Sequence, residues 1–320
     1  MNMGVSMLQN VVTVPLAAFQ EVVGPHCNPF LTVLVSGRME PGKLRFQATD
    51  FAGGGPHERV LSAIVYCKYL QSAALSNGAA PDHDVRLILQ AEDVPVNISS
   101  VSWETMASWN NVALIPDLYY FNARGYEDAP APNMPWHERA STFVWRGSTT
   151  GLFHQRVEDL DRLPRYRLCR IVSRLGALAD VGLNAAVQGA DPQQEQLIQD
   201  RLAEEGLLKP FLPMGDMARY RYILDIDGNS NSWNFMLKLR LGCCVLKVES
   251  DWHQWYASRL LPWVHYVPVA KDLSDVESQI AWSLEHVEEC AAIAERGAKF
   301  ARDMIFADEM AAAAATLYRA

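Results

Sequence analysis

The sequence predicts an α/β protein of two domains. Two successive blocks each alternate short apolar runs, which read as strands, with amphipathic stretches, which read as helices. Polar loops rich in glycine and small residues follow several of the runs, as at strand ends in open α/β sheets. A proline-rich stretch, residues 128–135, lies between the blocks and reads as a linker. The expected boundaries are 1–135, 136–300 and a C-terminal helix, 301–320, that packs back on the first domain.

In the first block, residues 31–35 and 43–46 read as short strands punctuated by Gly37 and by Pro41-Gly42. Residues 58–75 read as a helix, with Val60, Leu61, Ile64, Val65 and Tyr69 at helical spacing. Pro81-Asp82 breaks the chain, and residues 85–89 and 111–116 read as strands. Asp93 falls just past the first of these, where open α/β sheets place ligand-binding groups.

In the second block, residues 142–145 read as a strand that opens into Arg146-Gly147-Ser148 and a run of small residues. Such a loop lets backbone N–H groups approach an anion, and Arg146 offers two donors to clamp it. Residues 152–175 read as mostly helical with a break near Pro164, and 191–205 as a polar helix. The apolar run 222–226 reads as a buried strand, followed by Asp227-Gly228-Asn229-Ser230-Asn231, a turn-forming cluster. Ser232 reads as the N-cap of a helix over 233–241, with Lys238 and Arg240 in its last turn and Gly242 at its end. Residues 243–248 read as the next strand, and this helix start as an anion site. Ser274-Asp275-Val276-Glu277 reads as a capping box before an apolar stripe of Val276, Ile280, Leu284 and Val287, and the remainder as alanine-rich helix.

Composition narrows the function. The chain has 320 residues, 49% hydrophobic and 20% charged, which suits a globular protein. A net charge of −9 without a basic stripe argues against nucleic acid as a partner. No run approaches the ~20 apolar residues of a membrane span, and the first twenty residues show no secretory signal. Six cysteines without paired spacing read as reduced core residues, so a cytoplasmic location and no zinc site are expected.

Asp225-Ile226-Asp227 matches the D-x-D with which many glycosyltransferases hold a metal and a nucleotide-sugar, or is simply the end of a strand and a turn. His265-Tyr266 reads as a ligand contact or a packed pair. Trp252, Trp255 and Trp263 read as a sugar platform or as core.

Residues 225–229 (Asp-Ile-Asp-Gly-Asn), 261–269 (Leu-Pro-Trp-Val-His-Tyr-Val-Pro-Val) and 272–276 (Asp-Leu-Ser-Asp-Val) resemble the CAP10-type glycosyltransferases, family 90. Phe143-Val144-Trp145-Arg146-Gly147-Ser148 resembles that family's arginine-glycine motif, and Asp93 sits in the place of its aspartate. The resemblance runs in order over residues 31–300. It implies a GT-B fold, two Rossmann-like domains facing a cleft, with the acceptor on the first and the donor on the second. It implies a UDP-sugar donor, glucose or xylose, no cofactor beyond it, no essential metal and inversion of the anomeric carbon. The acceptor would be a hydroxyl of a glycan, a lipopolysaccharide or a protein, with peripheral membrane contact allowed. Asp93 would be the general base. Ser141, Arg146 and the residues Asn229, Ser230, Asn231, Ser232, Trp233 and Asn234 would line the donor. The chain departs from the family at Asn234, where arginine is usual, and at Met236, where a basic residue is common. Two other readings stay open: a metal-dependent transferase using Asp225 and Asp227, and a catalytically silent sugar- or nucleotide-binding relative.

Overall fold

The structure, a computed structural model, describes residues 10–129 and 134–319 (318 and 319 by their backbone alone). Part of the expected linker, residues 130–133, lies outside them. The chain divides into two units, and each is built on its own sheet. The first runs to Glu127 and takes in Asp251–Ala257 and the chain from Ile305 on; the second holds Asp128–Ser250 and Ser258–Met304.

In the first unit, β1 (Val11–Thr13) and α1 (Leu16–Val23) precede a hairpin of β2 (Thr32–Arg38) and β3 (Arg45–Ala48). Gly37 allows that hairpin to close. Its φ is 116°, and a Cβ there would stand 2.5 Å from the carbonyl oxygen of Lys43. Helix α2 (Glu58–Ser76) buries Val60, Ala63, Ile64, Cys67, Leu70 and Ala74, the stripe its three-four spacing demands. Then come β4 (Asp84–Gln90), β5 (Ser100–Ser102), β6 (Thr105–Met106), β7 (Val112–Leu114) and α3 (Leu118–Asn122). The sheet order is β1-β3-β2-β4-β5-β7. It is mixed, because the hairpin sets β2 antiparallel to both its neighbours while β4, β5 and β7 run parallel.

In the second unit, β8 (Ala140–Ser148), α4 (Pro164–Val172), β9 (Ala179–Ala185), α5 (Pro192–Glu204) and α6 (Met214–Met217) lead to β10 (Tyr220–Asp225), α7 (Phe235–Arg240) and β11 (Cys244–Val248). The chain then crosses to the first unit, where β12 (Trp252–His253) pairs with β6, and on its return β13 (Val267–Val269) completes the second sheet. Helices α8 (Val276–Glu285) and α9 (Val287–Asp303) follow, and α10 (Phe306–Arg319) packs on α2 in the first unit.

All five strands of the second sheet are parallel, in the order β13-β11-β10-β8-β9. Parallel sheets covered on both faces need apolar residues on both faces. Hence the unbroken run Tyr222, Ile223, Leu224 is wholly buried, and Cys244, Val245 and Leu246 beside it likewise. The rings of Phe143 and Tyr222, opposite one another in register, stack at 4.4 Å. The chain steps outward from β8 to β9, then returns to the other side of β8 for β10, β11 and β13. The strand order therefore reverses between β8 and β10, the position where sheets of this kind take ligands at the strands' carboxyl ends.

Several local expectations are corrected. Residues 152–156 are not helical; 3₁₀ turns at Val157–Arg162 and Ser173–Leu178 flank α4, whose first residue is Pro164. The capping box does not form. Asp275 is the N-cap of α8, and its carboxylate turns back to accept from the N–H of Ala270 (2.7 Å) and from Gln279. The alanine-rich end is two helices, α9 and α10. Among the described residues, no helix is long and apolar enough to cross a membrane.

Candidate active site

Strand β10 ends in a charged residue that is fully buried. Asp225 Oδ1 accepts from Lys238 Nζ on α7 at 2.7 Å and from Ser232 Oγ at 2.6 Å. Burial by itself would raise this carboxyl, but Lys238 and Lys247 more than offset it and hold it below the usual carboxylate range. The hydroxyl of Ser232 also lies 3.2 Å from Asn234 Oδ1. Its single proton goes to the shorter, charged acceptor. This attraction explains why Ser232 is not an N-cap: α7 begins only at Phe235, and its N-cap position, Asn234, makes no side-chain capping bond. With six residues and no such cap, α7 is too short to supply the anion site expected there. Lys238, read as a cation at a helix end, is instead a buried partner for Asp225, with 3% of its side chain exposed.

The loops after β8 and β10 are locked together. The N–H of Gly151 donates to Asn229 Oδ1 at 3.0 Å. Arg165, second residue of α4, donates through Nε to the carbonyl oxygen of Asp227 (2.7 Å) and through Nη1 to that of Ser148 (3.1 Å). Its guanidinium lies over the ring of Trp145, 5.6 Å from the centroid. Gly228 is required by this closeness: a Cβ there would stand 2.8 Å from both Arg165 Nη2 and Thr150 Oγ1. Burial pushes Arg165 down to about 10, so it stays charged at neutral pH.

Asp227 accepts from Ser250 Oγ through Oδ2, while its Oδ1 is buried without a partner. Burial pushes its carboxyl up to about 6, against the pull of Lys247 and Ser250. Ser230 Oγ is likewise buried and unpartnered. Thus Ser148, Asp227, Gly228, Asn229, Ser230, Asn231, Ser232, Trp233 and Asn234 gather at the carboxyl ends of β8 and β10, as the sequence suggested.

Three expected members stand apart. Gly147 is held in the sheet opposite Leu183. Arg146 reaches back along β8: Nη1 donates to the carbonyl oxygens of Trp145 (2.9 Å) and Asp180 (2.6 Å), Nη2 to Asp180 Oδ1 (2.6 Å), and Nε to Pro210 O (3.1 Å). Asp180 is level with Val144 in register, two residues towards the start of β8. Ser141 accepts from Arg221 Nη1 at 2.8 Å near the start of β8. At about 3.3 Å per strand residue it lies roughly 23 Å from Ser148, so the structure does not bring it to these loops.

In the first unit, Asp93 follows β4. Its Oδ1 accepts from Arg59 Nη2, in the first turn of α2, at 2.5 Å. His57 caps that helix, Nδ1 accepting from the N–H of Arg59 at 3.1 Å. Beside Asp93, Glu92 has a buried Oε1 without a hydrogen-bond partner, and burial pushes its carboxyl up to about 7. Asp117, also pushed up to about 7 by burial, caps α3 through the N–H of Tyr120 (2.8 Å) and accepts from Gln254 (3.0 Å).

His265 and the tryptophans pack. His265 Nδ1 accepts from the N–H of Leu261 (3.0 Å) and its ring stacks on Phe300, while burial lowers its basicity. Trp252 meets Trp109, Trp255 meets Tyr120 and bonds Glu309, and Trp263 meets Trp282. Among the described residues, no group of three or more His, Cys, Asp or Glu is gathered to hold a metal ion.

Arg59, Glu92, Arg165, Lys238 and Lys247 were not singled out from the sequence as site residues. Arg59 and Arg165 left a signal: a cation in the first turn of a helix opposes the dipole, and so asks for another partner.

Two outcomes test this geometry. Lys238→Met leaves Asp225 buried without its cation and is expected to cost ~3–5 kcal/mol in urea unfolding, much of it restored by adding Asp225→Leu. A loss below ~1 kcal/mol is incompatible with a buried pair. Asp227 carries the second. An acid held above its unfolded value of ~3.9 stabilises the fold below that value, and this contribution is lost as pH rises through about 6. Asp227→Asn should therefore gain stability relative to wild type between pH 4 and 7 in thermal melts. A difference that stays constant over that range contradicts the burial of this carboxylate.

The family model "Glycosyl transferase family 90" matches residues 127–317. Protein O-glucosyltransferase 1 of Homo sapiens is 27% identical over 180 residues, 56% of this chain and 41% of that protein. Protein O-glucosyltransferase 2 of Danio rerio is 34% identical over 95 residues, 30% of this chain and 19% of that one. Uncharacterized protein 179R of Invertebrate iridescent virus 6 is 26% identical over 185 residues, 52% and 16% of the two chains. The chain thus spans less than half the length of each of these curated relatives. Among solved structures, Anabaena HepE in complex with UDP-glucose aligns with a TM-score of 0.39 and 11% identity, over 54% of this chain and 48% of that one. The match to the family model covers well over half of the sequence, including both loops of the site, and the chain belongs to glycosyl transferase family 90.

Proposed function

We propose that this chain transfers a sugar, glucose or xylose, from a UDP-sugar to a hydroxyl of a glycan, lipopolysaccharide or protein, inverting the anomeric carbon. The observation that carries the reading is the reversal of strand order between β8 and β10, with the loops after those two strands tied to each other. Family membership supports sugar transfer, and the relatives named protein O-glucosyltransferase support glucose.

Asp93 is the base in this reading. Arg59 holds Oδ1 and orients the carboxylate, which leaves Oδ2 for the acceptor. As the acceptor oxygen bonds to the anomeric carbon, its proton passes to Asp93 and the bond to UDP breaks, UDP leaving with the electron pair. Asp93 need only take the proton late, when the hydroxyl has become acidic. The donor occupies the loops after β8 and β10. Arg146 joins it by family resemblance and does so only by releasing Asp180. No metal has a part in this route: Lys238 already neutralises Asp225 through Oδ1.

Wild type is expected to melt at higher temperature with millimolar UDP, since a ligand of the folded state stabilises it by mass action. EDTA should leave the shift and UDP release from the UDP-sugar intact. No shift with UDP, together with a shift from another nucleotide, overturns the donor class; activity lost in EDTA and restored by Mn²⁺ overturns the metal-free route. Asp93→Asn cannot accept the proton, and UDP release should fall by roughly 10²–10⁴ while the UDP-induced shift persists. Wild-type turnover in that variant removes Asp93 from the reaction.

A further inference from the structure

The cations around the donor loops are not equivalent. Arg146 is spent on Asp180, Pro210 and its neighbouring carbonyl. Lys238 is sealed against Asp225. Lys247 turns its Nζ to the carbonyl oxygen of Val248, 3.2 Å away, and lies over the ring of Phe235. Asn234 is neutral. Arg165 differs from all of these. Two of its nitrogens are bonded to carbonyl oxygens, one in each loop, and its plane is laid over Trp145. The third, Nη2, has no partner among the described residues and lies beside Gly228.

We propose that Arg165 is the positioned cation that takes the diphosphate of the donor, through Nη2. The inference rests on the donor reading proposed above and adds a residue to it. Three features of the geometry fit this role. The guanidinium is held at the reversal of strand order, where the loops after β8 and β10 meet. It is ordered before any ligand arrives, so little side-chain freedom is lost on binding. Its planar fork lets one nitrogen serve the ligand while the others hold the protein, which the single ammonium of a lysine cannot do. The chain thus has a cation for an anionic donor that comes from α4 rather than from position 234.

A merely structural role is the rival, because Arg165 also ties the loops. Titrating the full chain with UDP, uridine and inorganic pyrophosphate separates the two. In Arg165→Gln, affinity for UDP and pyrophosphate should fall about 10- to 100-fold, as for a lost charge-assisted bond or two, while uridine binds as to wild type. Arg165→Lys keeps the charge without the fork and should be intermediate; it also stands in if the glutamine variant does not fold. Equal losses for uridine and UDP, or no loss for UDP, overturn the inference. Should wild type bind pyrophosphate but not UDP, and lose it in Arg165→Gln, then Arg165 is confirmed as the anion's cation and the UDP reading alone fails. If wild type binds neither anion, both fail.

Discussion

The proposed donor site depends on how one charge, Asp225, is kept inside the protein. A strand in the middle of a parallel sheet must be apolar on both faces, and β10 is from Tyr222 to Leu224, before its last residue. An isolated carboxylate there would be expelled or neutralised. Lys238 and Ser232 prevent this by converging on one oxygen. Both come from beyond the loop, so satisfying Asp225 bends residues 226–232 back over the end of the strand. The loop's shape follows from this demand more than from the turn propensities of its glycine and asparagines. Breaking the pair would cost more than its net worth, because it strands a charge.

The same demand explains why neighbouring polar atoms go without partners. Once Ser232 is drawn to Asp225, the backbone between them is fixed, and Asp227 Oδ1 and Ser230 Oγ are buried with nothing to bond. Unmade hydrogen bonds of this kind destabilise a fold, and they gather where a protein keeps a polar surface ready for a ligand. In the first unit Glu92 shows the same pattern beside Asp93. Both places lie just past strand carboxyl ends, from which the proposed chemistry is drawn, although buried atoms without partners occur elsewhere too, as at Tyr66 and Trp103.

How much of this was legible in the sequence depends on whether a signal is local. Strands β10 and β11 were, because burial on both faces leaves an unbroken apolar run. Helix α2 was, from its apolar spacing, although Leu61 and Val65 of the expected stripe are only half-buried and Tyr69 is exposed. Strand β9 was missed: Ala-Asp-Val-Gly-Leu-Asn-Ala has few β-branched residues, and pairing with β8 makes it a strand. The loops that gather at the site were legible from their small residues and their place after strands. Side-chain direction was not. Whether Arg146 faces a ligand or the sheet is decided by Asp180, thirty-four residues away, and by Pro210. Arg165's place in a helix's first turn hinted at a partner, but not which one, because its partners are backbone carbonyls, which leave no trace in residue identity.

Net charge says little about this site. A chain of −9 is not an obvious host for a diphosphate. Yet the groups coupled at the end of β10 are Arg165, Lys238 and Lys247 against Asp225 and Asp227. The surface carboxylates that make up the total are screened within about a Debye length, ~8 Å at physiological salt. Those at the loops are screened far less, because apolar side chains surround them. The field an approaching anion meets is set by these few buried charges. With Lys238 paired to Asp225, the cations that face Asp227 are Arg165 and Lys247, two against one. An acidic protein can thus gather more cations than anions at one strand end, whatever its net charge.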